Sequence, residues 1–243
     1  NLGAAPSARI AGWFAASGAP YAPEMCRRTP ADVKGGHLAV RKSDGRIILR
    51  DTAQTPEDQM HYFTDQFRHP FFHTNNLWFD LKVLRDTLAE RGGILGLPLI
   101  KNSKTVDPAD SSSVPVIQLE TAMGAAVEAF EGATAIEVPR SRFLPVKTTN
   151  DLLLVRSDVY EVDADGLLQM VPERACTVKL DPRFYKKIQD FEARFPDGVP
   201  SIKGAQSLTV EGDWTFGSGV VATGEALVSQ EGSPGRIADG TRI

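Results

Sequence analysis

Lys147 follows the run Phe143-Leu144-Pro145-Val146. An apolar approach stiffened by proline fixes where the next side chain starts, and a lysine ammonium is a compact point charge suited to phosphate oxygens. The competing reading is a solvated surface lysine. Phe143 in the same run is either an apolar wall for a ligand ring or part of the core. Asn75-Asn76 stand before Leu77, Leu81, Leu84 and Leu88. One asparagine suits a helix N-cap, which leaves the other free to bond a ligand hydroxyl. Lys34-Gly35-Gly36 follows Asp32-Val33 and precedes a strand, and reads as a turn or bulge needing positive φ. Cys26 and Cys176 form no C-x-x-C, and His37, His61, His69 and His73 form no H-E-x-x-H. Pro70 also keeps His69 and His73 off one helix face. Structural roles are expected for these six residues, in a reducing, cytoplasmic setting.

The elements that must carry these groups can be read from spacing. Pro6, Ile10, Trp13, Phe14 and Gly18 predict a first helix with proline in its first turn. His37–Lys42 and Arg46–Asp51 flank Ser43-Asp44-Gly45 and predict a hairpin. Thr55-Pro56-Glu57-Asp58 predicts a short helix. Pro70–Thr74 reads as a strand ending before Asn75-Asn76, with a helix over the leucines that follow and a stop at Gly92-Gly93. Ile94–Ile100, Val114–Leu119 and Thr134–Val138 read as strands, Asn102–Ser113 as an exposed loop, and Glu120–Phe130 as an Ala-rich helix. This alternation over 70–140 predicts an α/β layer with a mainly parallel sheet. Asp181 caps a helix through Phe191.

After Pro196 the spacing becomes six. Leu208, Trp214, Val220 and Ala226 form one column; Val210, Phe216, Ala222 and Val228 a second; Gly212, Ser218 and Gly224 a third. Ile237 and Ile243 repeat the interval. An inward aliphatic and a small corner residue in a hexad predict a parallel β-helix over two ordinary hairpins.

Composition bounds the rest. With 243 residues, 42% hydrophobic and 24% charged, the chain can bury a real core and is not a disordered tail. A net charge of −4 argues against coating nucleic acid or anionic lipid. There is no run of about 18 apolar residues and no basic-then-apolar leader, so neither a membrane span nor a signal peptide is expected. The chain opens at Asn1 without Met, which implies processing or a start inside something longer.

Five strings occur in order: Asn1-Leu2-Gly3-Ala4, Ala31-Asp32-Val33-Lys34-Gly35-Gly36, Thr74-Asn75-Asn76-Leu77-Trp78, Gln118-Leu119-Glu120-Thr121-Ala122 and Pro139-Arg140-Ser141-Arg142-Phe143-Leu144-Pro145-Val146-Lys147. Together they resemble the UTP–glucose-1-phosphate uridylyltransferase (UDP-glucose pyrophosphorylase) family, and the resemblance runs from residue 1 to about residue 228. The resemblance implies part of a doubly wound, Rossmann-like nucleotide-sugar domain over 1–198, then a left-handed parallel β-helix over 199–243. It implies that UTP and glucose 1-phosphate give UDP-glucose and pyrophosphate, with Mg²⁺ on the polyphosphate. Such chemistry needs positioning and cation stabilisation more than a protein nucleophile. Lys147 then takes the catalytic role and Phe143 lies against the glucose. Asn75 contacts the sugar and Asn76 caps the helix. Glu24 bonds glucose hydroxyls, and Lys34, Gly35 and Gly36 close over the sugar side. Arg140 and Arg142 are scaffold or ion-pair partners.

No GGxGTxxG-type loop occurs here, although family members use one to cradle UTP phosphates. Their uracil-contacting segment and metal-binding aspartate lie upstream, the aspartate immediately before Asn1. No metal ligand is therefore expected in this chain, and the fragment is expected to be inactive alone. Three alternatives stand beside this reading. One is a UDP-N-acetylhexosamine pyrophosphorylase, which shares the chemistry. Another is a β-helix fragment that only scaffolds or builds a homo-oligomer through its coil ends. A hexapeptide-repeat acyltransferase fits poorly, since no histidine follows His73.

Overall fold

Ser7 and Gly18 fix the ends of helix α1 (Ala8–Ser17). The Ser7 hydroxyl accepts the Ile10 N–H at 3.3 Å, and Gly18 closes the helix at φ 67°. Pro6 therefore stands just outside the cap, not in the first turn. The computed structural model describes every residue except 30, 31, 33, 34, 53, 54, 109 and 175. The chain packs as two units: Pro6–Arg140, and Asn1–Ala5 with Ser141–Ile243.

In the 6–140 unit, β1 (Tyr21–Arg27) is buried along all but its last residue and lies at the centre of a three-stranded sheet. The expected hairpin forms from β2 (His37–Val40) and β3 (Ile47–Arg50), with Gly45 at φ 72°. A 3₁₀ turn at Glu57–Gln59 leads into the single-turn helix α2 (Met60–Phe63), which buries Phe63. β4 (Phe71–Phe79) runs antiparallel to β1, and the short β7 (Ile136–Glu137) runs parallel to it. The mainly parallel sheet expected over 70–140 is thus corrected: the longest partner of β1 is antiparallel.

β4 also corrects the expected element boundary. It continues through Asn75 and Asn76 to Phe79, and helix α3 (Leu81–Glu90) starts only after Asp80. The Asp80 carboxylate accepts the Lys82 and Val83 N–H groups at 2.9 and 3.1 Å. Aspartate caps as well as asparagine and directly precedes the Leu81, Leu84, Leu88 stripe. The strand survives the asparagines because Asn75 takes φ 64° as a bulge, opposite a register slip between Pro23 and Met25.

β5 (Leu99–Thr105) and β6 (Pro115–Thr121) form an antiparallel hairpin, so part of the expected polar loop is strand. β6 is exposed along its whole length. Residues 120–130 give a 3₁₀ segment, Met123–Glu128, instead of an α-helix. Glu120 and Thr121 are still paired with Ile100 and Leu99, which uses up the helix's first turn. Gly124, Ala125, Ala126 and Val127 are buried there, and the core around them includes Tyr21, Leu49 and Phe130.

In the other unit, helix α4 (Thr149–Arg156) opens with a capping box between Thr148 and Asp151. The hairpin β8 (Tyr160–Val162) and β9 (Leu168–Met170) follows, then β10 (Thr177–Leu180). Asp181 caps α5 (Pro182–Tyr185) through the Arg183 N–H and also accepts the Gly212 N–H at 2.9 Å; α6 (Ile188–Arg194) follows. The chain then turns through β11 (Ser201–Val210), β12 (Trp214–Phe216), β13 (Val221–Val228) and β14 (Gly235–Ile237).

The pairing here is parallel, and from Ser207 onward β11 and β13 follow the six-residue interval after two register shifts between Ser201 and Ser207. Leu208 pairs with Ala226 and Val210 with Val228, each three hexads on. Both columns point into one core that also holds Leu153, Val159, Tyr185, Phe191 and Phe195. Gly212 sits at φ 88°, and a Cβ there would meet Ser233 Oγ at 2.6 Å, so the corner takes no larger residue. This core holds residues from both sides of position 198. The chain is a mixed α/β protein of small sheets and helices. Among the described residues, no helix is long and apolar enough to cross a membrane.

Candidate functional site

Glu24 lies on β1 and is fully buried, at 0% exposure. A carboxylate out of water is costly unless its oxygens are bonded. β4 supplies the donors: Asn76 Nδ2 reaches one oxygen at 3.0 Å and Trp78 Nε1 the other at 2.9 Å. Thr74 Oγ donates to the Glu24 backbone carbonyl at 2.9 Å and accepts the Asn76 N–H at 3.2 Å. Asn76, expected to cap a helix, therefore holds the carboxylate of Glu24. Trp78 joins the site beyond the residues its string suggests. Its signal is the strand period of two, which puts residues 74, 76 and 78 on one face.

Asn75 is exposed, and its N–H donates to His73 Nδ1 at 2.9 Å. Gly36 joins the same region, since its carbonyl accepts the His73 N–H at 2.7 Å. Arg28 donates its guanidinium to the Gly35 carbonyl and to that of Phe63 at 3.1 Å. Gly36 does not have positive φ, contrary to the turn expectation. Close packing constrains both glycines instead. A Cβ on Gly35 would stand 3.1 Å from Phe72 Cβ, and one on Gly36 would stand 3.2 Å from the Arg50 carbonyl. Lys34 lies outside the described residues. Arg140 is an ion-pair partner, bidentate on Asp32 at 2.6 and 3.1 Å. Burial pushes the Asp32 carboxyl up, but the bonds from Arg140 and Thr29 outweigh it and hold it below the usual range.

In the other unit, Asn1 straps down the segment leading to Lys147. Its Oδ1 accepts the Leu144 N–H at 2.7 Å and the Gly3 N–H at 3.1 Å, and its Nδ2 donates to the Arg142 carbonyl at 3.1 Å. The Leu2 N–H adds a bond to the Leu144 carbonyl at 2.9 Å. A Cβ at Gly3 would lie 2.5 Å from the Ser141 carbonyl oxygen, so only glycine allows this approach. Arg142 donates to the Ala5 carbonyl at 3.0 Å, a scaffold role. Phe143 is half-buried. Lys147 is exposed; its N–H donates to Asp151 at 3.0 Å, and its ammonium has no partner among the described residues. Among the described residues, no group of three or more His, Cys, Asp and Glu could hold a metal ion.

Comparison with known proteins places this arrangement. A family model described as UTP–glucose-1-phosphate uridylyltransferase matches residues 1–222. The Hordeum vulgare UTP–glucose-1-phosphate uridylyltransferase is 42% identical over 233 residues, covering 94% of this chain and 47% of the barley protein. The Saccharomyces cerevisiae enzyme of that name is 38% identical over 94% of this chain and 45% of its own length. A Trypanosoma brucei structure named UDP-glucose phosphorylase superposes on all of this chain with a TM-score of 0.88 and 40% identity, over 53% of that chain. A Leishmania major UDP-glucose pyrophosphorylase variant, solved with UDP-glucose, gives 0.85 and 43% over 54% of its chain. The chain thus spans about half the length of the curated relatives it matches. With its five ordered motifs inside a match over residues 1–222, it belongs to the UTP–glucose-1-phosphate uridylyltransferase family.

Proposed function

We propose that this chain is the sugar-side half of an enzyme that makes UDP-glucose and pyrophosphate from UTP and glucose 1-phosphate. In that reaction a phosphate oxygen of glucose 1-phosphate attacks the α-phosphorus of UTP. The new P–O bond forms as the bond to the β-phosphate bridge breaks, and pyrophosphate leaves. The observation that carries the reading is the Glu24–Asn76–Trp78 network beside Asn75. It holds a buried carboxylate and amide in fixed positions, the kind of group that selects sugar hydroxyls by charge-assisted bonds. Glu24 and Asn75 read the sugar, and Asn76 and Trp78 hold Glu24. Lys147 supplies positive charge to the phosphates and Phe143 an apolar face. The exposed ammonium of Lys147 favours that assignment.

The finer fold belongs to the same proposal. The 6–140 unit is read as part of a Rossmann-like domain, and the hexad region as a left-handed β-helix. The three-hexad offset between paired strands supports the helix reading. The exposed apolar residues Leu99, Ile117 and Leu119 on the β5–β6 hairpin, at 65, 58 and 60% exposure, favour cover by protein outside this chain. Mg²⁺ remains the implied cofactor. The described residues offer no cluster to hold it, so no step here is assigned to it. A cytoplasmic location and homo-oligomers through the coil ends complete the proposal.

The test is an assay of pyrophosphate release from UTP and glucose 1-phosphate. The whole protein should turn over, and residues 1–243 alone should not. Equal turnover by the fragment would overturn the claim that it is incomplete. Preference for N-acetylglucosamine 1-phosphate over glucose 1-phosphate would replace the substrate assignment.

A further inference from the structure

We infer that His73 is a positioning residue for the sugar site, its imidazole holding Asn75 in the left-handed conformation on which the Asn75 contact depends. The inference rests on the proposed role of Asn75. Asn75 is the one described residue other than glycine with positive φ, and its N–H donates to His73 Nδ1 at 2.9 Å. Asparagine tolerates this conformation better than most residues, but a fixed partner for its N–H defines it further. To accept that bond the imidazole must be neutral, with its proton on Nε2.

The rest of the ring is placed at a cost. Nε2 is buried and has no hydrogen-bond partner among the described residues. A buried donor left unpaired calls for an explanation, because an apolar side chain of similar size would fill the niche without that penalty. The niche is tight: a Cβ on Gly124 would come within 3.2 Å of Cε1 and Nε2, and within 3.1 Å of a Leu49 methyl. His73 also donates its own N–H to the Gly36 carbonyl at 2.7 Å. Two candidate strings, through Gly36 and through Thr74–Trp78, thus meet at one residue, with Gly124 packed against it. Burial lowers the His73 pKa to about 4, which keeps Nδ1 available as an acceptor at neutral pH.

Stability alone does not account for the imidazole. Asn75 is exposed, so water can satisfy its N–H if His73 is removed. A positioning role and a packing role therefore separate in experiment. In the whole protein, His73→Leu should raise the KM for glucose 1-phosphate about tenfold. The KM for UTP should stay unchanged, and Tm should hold or rise. His73→Asn, whose amide oxygen can accept the same N–H, should bring the sugar-phosphate KM back to within about twofold. Asn75→Ala should raise that KM as His73→Leu does. If Asn75→Ala raises the KM and His73→Leu leaves it unchanged, the inference falls while the sugar reading stands. If Asn75→Ala leaves the KM unchanged, the role of Asn75 falls, and the inference with it. Equal KM rises in His73→Leu and His73→Asn with a lowered Tm would show packing alone and overturn it.

Discussion

Glu24 and Lys147 present opposite solutions. Glu24 is fully buried and bonded through both carboxylate oxygens by Asn76 and Trp78 of the neighbouring strand. Lys147 is exposed, and only its main chain is fixed, through Asp151 and the strap from Asn1 to Leu144. In the role proposed for Glu24, reading hydroxyls on a ring demands rigid partners at set distances, since discrimination comes from geometry. In the role proposed for Lys147, stabilising a spread phosphate charge demands a cation within reach, and a tethered ammonium can supply it. The contrast makes one region dependent on folding energy and the other nearly independent of it.

The strongest test removes a donor from the buried carboxylate. Trp78→Phe should cost about 2–3 kcal/mol, because a hydrogen bond to a buried charge is lost. Urea unfolding measures this, and a change below about 0.5 kcal/mol would end the claim that the network is structural.

Acid should separate the units next. All four histidines lie in the 6–140 unit. Burial lowers His73 to about 4 and, with nearby His69 and Arg28 adding to it, His37 to about 3. Both folded values lie below an unfolded value near 6.5, so the unfolded chain binds protons first. Their contribution is full above about pH 6.5 and is lost as pH falls towards 4 and 3, by at most ~1.4 kcal/mol per pH unit for each histidine. Trp13 and Trp78 report on this unit and Trp214 on the other, so near pH 5 the first two should lose structure in less urea. Equal acid sensitivity at Trp214 would erase the distinction.

Lys147→Ala should do the reverse of Trp78→Phe. Stability should stay within about 0.5 kcal/mol, while kcat of the whole protein falls tenfold or more, about 1.4 kcal/mol of barrier. The smallest expected effect concerns Asn75. Asn75→Ala should be about 1 kcal/mol less stable than Asn75→Gly, because φ 64° suits glycine and not alanine.

Legibility in the sequence followed the same division. The hexad columns are a periodic signal that needs no knowledge of partners, and Val210, Phe216, Ala222 and Val228 all proved buried. The helix stop at Gly18, the Asp44-Gly45 turn and the Asp181 cap are local chemistry and were equally readable. The 70–80 stretch was not, because two rules competed. Asparagine before a leucine stripe suggests a helix start, yet Asp80 is the better-placed cap, and Asn75 could bulge inside a strand. The partnership of Glu24 with Asn76 and Trp78 depends on which strands adjoin, so none of the three announces it. The string order indicated the family, but the chemistry assigned to single residues in those strings still rests on proposals. Gly36 answers to crowding and not to backbone handedness, and Gly35 is crowded by Phe72 as well.

The register of the parallel strands carries a consequence for how this sequence can change. Leu208 meets Ala226 three hexads on, whereas Trp214 meets Gly235 three hexads and three residues on. The surplus is absorbed after Val228, around Gly232. Insertions and deletions in this region should therefore be quantised. A single added residue between Glu225 and Val228, where the register with β11 is constant, would turn the residues after it from core to solvent, while the stretch after Val228 accepts irregular lengths. Natural variation in length should collect there, and where the register is constant it should come in sixes.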